Sequence, residues 1–81
     1  MSREDILNIV KKCIEDILGD VGEIDINKSL KDYGANSIDR ADITMDSMEA
    51  IGCKIPLVEF GNVSNIQGLV DVFYEKQVIN E

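Results

Sequence analysis

Histidine is absent from this chain of 81 residues. Its absence removes Ser-His-Asp and Cys-His nucleophilic catalysis, histidine general bases and histidine-ligated metals. Tryptophan is absent too, and the aromatics are only Tyr33, Phe60, Phe73 and Tyr74. So few rings make base-stacking platforms hard to build. Basic residues number 8 against 16 acidic ones, a net charge of −8. That field repels phosphate backbones and argues against nucleic acid, and it favours basic partners. The two cysteines, Cys13 and Cys53, form no CxxC pair, so neither a metal ribbon nor a redox motif is supported. The sequence does not exclude a disulfide, but a lone pair in an acidic, signal-free chain reads as two reduced thiols and a cytoplasmic protein. No apolar run approaches the ~18 residues of a membrane span, so no membrane association is expected. The opening residues Met1-Ser2-Arg3-Glu4-Asp5 lack the layout of a secretion signal.

What is present suits one small domain across residues 1–81. Hydrophobic residues make up 44% of the chain, enough for a packed core. A chain this short buries only about 60% of the surface it exposes when unfolded, which leaves little room for a large cavity as well as a core.

Periodicity predicts three main helices. In the first, from about Glu4 to Leu18, Ile6, Val10, Cys13, Ile14, Ile17 and Leu18 form one apolar stripe, widened by Leu7 and Ile9. Ser2 and Asp5 resemble a capping pair, and Gly19 suits the helix end. From Asp20 to Asn36 the pattern breaks into a long connection, which Ile24, Ile26 and Leu30 would pin to the core. Ser29 could cap a single turn there. A second helix is expected from Ser37 to about Ile51, ending at Gly52. Its apolar face reads as Ile38, Ala41, Met45, Met48 and Ile51, with Ile43 beside it. Met45 and Met48 lie beside the acids and are core or contact, with core favoured because both fall on this stripe, and Ser47 lies on or near the polar side. Ile55-Pro56 imposes extended backbone, and a short turn from Leu57 to Gly61 follows. The last helix is expected to begin near Ser64, with Ser64 and Gln67 as a capping box and Ile66, Leu69, Val70 and Phe73 as its stripe. It is expected to fray near Lys76, leaving a loosely held tail. The fold class is therefore all-α, a small four-helix bundle of three main helices and one short one.

Ser37 differs in context from the other serines. It follows Gly34-Ala35-Asn36 and opens an acidic helix. Free N–H groups and the helix dipole there favour an attached phosphate. A serine in this position is most often only an N-cap. With no histidine to activate it, its hydroxyl does chemistry only if another protein modifies it.

Gly34-Ala35-Asn36-Ser37-Ile38-Asp39 resembles the 4′-phosphopantetheine attachment site of acyl carrier proteins. The resemblance extends over nearly the whole chain: an amphipathic first helix, a long loop, an acidic second helix, an Ile-Pro after it and a final helix match in order. The pattern departs at Asn36, where aspartate is usual, although asparagine also occurs in carriers of polyketide assembly lines. The resemblance implies that Ser37 carries 4′-phosphopantetheine, added by a phosphopantetheinyl transferase, with an acyl group as a thioester on the arm. Neither cysteine takes part, and Cys13 reads as core filler. The implied protein is a non-catalytic monomer. Its implied partners are an acyltransferase and a ketosynthase or an HMG-CoA-synthase-like enzyme. The stretch Asn36 to Ile43, with Arg40 within it, and the stretch Lys54 to Glu59 look like the stand-alone donor carriers of polyketide β-branching cassettes. A carrier of fatty-acid synthesis is the alternative within the family.

Asp39, Asp42, Asp46 and Glu49 recur at spacings that align them on one helical surface. Charge runs are usually solvated faces. The functional reading is a docking strip for basic enzyme surfaces, with Arg40 selecting among partners. Two rival classes fit the sequence less well. The nearest calcium loop begins at Asp25 but has Leu30 where glycine is needed and Asn36 where glutamate should close it. An unmodified acidic interaction domain explains the charge and the bundle, but leaves Gly-Ala-Asn-Ser without a reason.

Overall fold

Six apolar side chains at helical spacing near the N-terminus need a partner surface, and they are the centre of the fold. The computed structural model describes the backbone of residues 2–61 and 63–79, and side chains as far as Lys76 with position 62 omitted. Helix α1 runs Arg3–Leu18, α2 Ser37–Ile51 and α3 Ile66–Ile79. Two short 3-10 turns, Leu30–Tyr33 and Leu57–Phe60, precede α2 and α3 respectively. The described residues contain no strand, and the all-α bundle is the observed class. Ser2 and Asp5 form the expected capping box on α1, and Ser29 and Asp32 form another on the first 3-10 turn.

Helix α1 packs on both α2 and α3, whereas α2 and α3 scarcely meet directly. From α1 the core takes Ile6, Val10, Cys13 and Ile14; from α3 it takes Ile66, Leu69, Val70 and Phe73. On α3 these are the stripe residues read from periodicity; of the six read on α1, Ile17 and Leu18 are only half-buried against the core. Phe60 and Phe73 close one end, their ring centroids 5.1 Å apart and tilted. Arg3 ties the N-terminus of α1 to α3 through an ion pair with Asp71 at 3.1 Å, its guanidinium lying over the Tyr74 ring.

The long connection is held as expected, with Leu30 buried and Ile24 and Ile26 packed against the core. It also does something the sequence did not announce. The carbonyls of Lys28 and Ile26 accept the N–H groups of Ile66 and Gln67 at 2.9 Å each. These are the first two N–H groups of α3, which no helical turn can satisfy. The cap of α3 is accordingly Asn65 and not Ser64: Asn65 Oδ1 accepts the Gly68 N–H at 2.7 Å. The expected serine cap fails because starting at Ile66 lets the loop carbonyls satisfy the next donors. At the other end α3 extends to Ile79. No glycine or proline follows Gly68 to stop it, and Lys76 is tied to Glu59 at 3.5 Å. Residues 80 and 81 of the expected loose tail lie outside the described residues.

The face of α2 is the main correction. Its buried residues are Ile43, Thr44 and Ser47, while Ile38 and Met45 are 69% and 53% exposed. The helix is thus rotated away from the face that hydrophobicity alone selects. Ser47, read as near the polar side, is fully buried. Burial is inexpensive because both hydroxyls bond within the helix. Thr44 Oγ1 donates to the Arg40 carbonyl at 2.9 Å, and Ser47 Oγ to the Ile43 carbonyl at 2.7 Å. The two methionines separate. Met48 is half-buried with its sulfur accepting the Ile55 N–H, as a core role predicts, whereas Met45 faces outward.

Candidate functional site

The approach to α2 is built by Gly34. It adopts a left-handed conformation at φ 90°, which ends the first 3-10 turn and lets Ala35 turn into the core. The chain then extends at Asn36, which caps the helix. Asn36 Oδ1 accepts the Asp39 N–H at 2.8 Å, and Asp39 Oδ2 accepts the Asn36 N–H at 3.3 Å. Asparagine caps as well as aspartate does, so the local geometry tolerates the departure from the usual residue.

Ser37 is therefore the first residue within α2 and not its cap. The commonest structural use of a serine at a helix start is already taken by its neighbour. Ser37 is exposed, and among the described residues no hydrogen bond engages its hydroxyl. Beside it opens a cleft of about 480 Å³ between α2 and the segment entering α3. Ala41, Thr44, Leu57, Phe60 and Leu69 contribute to its walls. The cleft exists because α2 and α3 both lean on α1 and leave a gap between themselves.

At about 100° per residue, Asp39, Asp42, Asp46 and Glu49 share one arc of α2, as the spacing predicted. Three of the four are exposed, while Asp39 is half-buried and committed to the capping box. Arg40 does not sit in that strip. It lies on the cleft side with Ser37, and its Nε–H donates to the Asn36 carbonyl at 3.4 Å. Sequence reading favoured the core for the apolar residues beside the acids, and the structure exposes two of them. Ile38 and Met45 flank the acids at one-turn spacings, and Val58, 82% exposed on the second 3-10 turn, adds to the exposed apolar side chains. The signal was available as two large apolar residues a heptad apart on a helix whose inward positions include Thr44 and Ser47.

Both thiols are free, Cys13 in the core as expected and Cys53 half-buried. Burial pushes the Cys53 thiol above its ordinary value. No helix among the described residues is long and apolar enough to cross a membrane.

The residues fit a phosphopantetheine arm on this geometry: an exposed hydroxyl with no capping duty, at a helix start, beside an open cleft. Comparisons with known proteins agree with the fit. The family described as "Phosphopantetheine attachment site" matches residues 8–73. The acyl carrier protein of Rubrobacter xylanophilus is 33% identical over 79 residues, 95% of this chain and 98% of that protein. The polyketide biosynthesis acyl-carrier-protein AcpK of Bacillus subtilis is 43% identical over 47 residues, a match that spans 58% of this chain and 57% of AcpK. A chain of the crystal structure of the curacin biosynthetic pathway HMG synthase in complex with acetyl donor-ACP superposes with a TM-score of 0.81. It is 38% identical, with 90% of this chain and 96% of that chain covered.

Proposed function

This chain belongs to the acyl carrier protein family, and from that premise we propose that Ser37 is its attachment residue and that it serves as the acetyl donor carrier of a polyketide β-branching cassette. As a family member it carries acyl groups on covalently attached 4′-phosphopantetheine and is a carrier, not a catalyst. The arm supplies a terminal thiol on which an acyl group rides as a thioester. The chain's own residues present the hydroxyl, orient it and offer a surface to other proteins.

The observation that carries the assignment of Ser37 is its release from capping. Asn36 holds the helix start, so Ser37 Oγ faces solvent with free N–H groups of the first turn nearby. A phosphopantetheinyl transferase would add the arm there. Asp42, Asp46 and Glu49, with Asp39 at the head of the strip, would steer basic partner surfaces, while Ile38 and Met45 supply apolar contact beside them. The donor reading is supported by the similarity to the chain from the HMG synthase complex and by the identity shared with AcpK. On this reading the partners are an acyltransferase for loading and an HMG-CoA-synthase-like enzyme for delivery, and the carrier works as a monomer in the cytoplasm.

Intact mass after incubation with coenzyme A and a broad transferase tests the site. One phosphopantetheine should add to the natural chain and none to a folded Ser37→Ala variant. Modification of that variant would place the arm on another serine, and an unmodified natural chain would favour a plain interaction domain. The donor role is tested by the rate of acetyl transfer to an HMG-CoA-synthase-like enzyme. Arg40→Glu should slow that transfer more than it slows attachment of the arm. Faster transfer to a ketosynthase of fatty-acid synthesis would favour the alternative within the family.

A further inference from the structure

The acidity of the chain stops at the cleft beside Ser37. Acids outnumber bases 16 to 8 in the sequence, yet the described lining of this cleft includes no aspartate or glutamate and two of the eight bases, Lys31 and Arg40. The two come from different elements, the first 3-10 turn and α2, and the fold brings them to one opening. Arg40 lies three residues after Ser37, so the two are neighbours on one side of α2. The bond from its Nε–H to the Asn36 carbonyl folds the side chain back over the first helical turn, toward Ser37. Four of its five N–H donors remain available. Neither base is spent elsewhere: the ion pairs among the described residues join Arg3 to Asp71 and Lys76 to Glu59.

A phosphodiester on Ser37 Oγ would carry one negative charge at neutral pH and sit within the field of four acids on the same helix. We infer that Lys31 and Arg40 form a cationic seat for that phosphodiester, Arg40 through charge-assisted N–H bonds and Lys31 as a point charge. The inference rests on Ser37 as the attachment residue. It gives Arg40 a task within its own chain, before any partner arrives: to hold the root of the arm at the cleft and against the repulsion of the strip. Both residues are positioning residues, with no part in acyl chemistry.

The test is phosphorus NMR of the loaded protein. Full loading is first confirmed by intact mass, and retained helicity by circular dichroism. The variants are Lys31→Gln, Arg40→Gln, the double variant and Arg40→Lys. Lys12→Gln on α1 removes the same charge outside the cleft. In the natural protein the phosphodiester resonance should be displaced from that of the same group in free coenzyme A, and it should be broader. Each single variant should lose part of the displacement and the double variant nearly all of it. Arg40→Lys should keep part, Lys12→Gln should keep it whole, and added salt should reduce it. An identical resonance in the fully loaded natural protein and double variant would overturn the seat while leaving Ser37 as the attachment residue. An unmodified natural chain, or a modified Ser37→Ala, would remove the attachment reading and the seat together.

Discussion

Helices α2 and α3 are nearly equal in length, 15 and 14 residues, but they treat their apolar side chains in opposite ways. On α3 the four stripe residues Ile66, Leu69, Val70 and Phe73 are all buried. On α2 a threonine and a serine are buried, and an isoleucine and a methionine face solvent. A helix that only needed to stabilise the fold would have been rotated to hide Ile38 and Met45. The rotation of α2 puts Ser37 and Arg40 at the cleft and keeps the acids and two apolar residues outside. The contrast teaches that α3 spends its apolar residues on cohesion, whereas α2 packs inward through Ile43, Thr44 and Ser47 and leaves other apolar side chains exposed.

The contrast can be attacked most strongly through stability. Phe73→Ala removes a fully buried ring that also touches Phe60 and should cost about 3–5 kcal/mol. In so small a domain that loss should leave a substantial unfolded fraction in chemical denaturation. If the protein keeps its denaturation midpoint, α3 is not the cohesive element.

Next in size is the effect of charge on α2. Reversing Asp42 and Asp46 to lysine together should slow acyl transfer well beyond either single change and leave the helical spectrum intact. Each exposed pair contributes only about 0–1 kcal/mol, so single reversals should cost several-fold at most. The deficit should shrink as salt rises, because screening shortens the reach of surface charges. A salt-independent loss would mean that the strip acts through structure and not through steering.

Smaller still is the stability effect of truncating the exposed apolar residues. Ile38→Ala and Met45→Ala should each move stability by no more than about 0.5 kcal/mol, in contrast to Phe73→Ala. Partner transfer should nevertheless slow. Destabilisation on the scale of a core truncation would show that the two residues are packed and that the contrast between the helices is false.

The smallest effect belongs to Cys53. Its folded thiol holds its proton more tightly than the unfolded thiol does, so the stability it adds is present below the unfolded value of about 8.5. That contribution is lost as pH rises through the higher folded value. The natural protein should therefore lose slightly more of its denaturation midpoint than Cys53→Ser does between neutral and strongly alkaline pH. Equal losses would mean that the half-buried position does not restrain the thiol.

Much of this architecture was legible because its causes are local. Capping boxes at Ser2 and Ser29 and stop signals at Gly19 and Gly52 involve groups within a few residues of one another. The stripes of α1 and α3 were readable because in each the apolar residues outnumber any rival face. Helix α2 offered two candidate faces. Hydrophobicity favoured the one carrying Ile38 and Met45, but it could not register that Thr44 and Ser47 satisfy their own hydroxyls and pack inward. The start of α3 was misplaced by a residue for a similar reason, since its first donors are satisfied by carbonyls of a loop almost forty positions away.

Alone, the amino-acid order determined the three main helices and their approximate extent, the acidic strip, and the setting of Ser37 after Gly34-Ala35-Asn36. All of these follow from hydrogen bonds and backbone preferences that span a few residues. Only the tertiary structure decided which way α2 faces and that Lys31 joins Arg40 at one cleft. Those outcomes depend on α1 standing between two helices that scarcely touch, which leaves the gap beside Ser37 open. No short-range rule specifies such a gap, because its walls come from segments that meet only when the chain has packed.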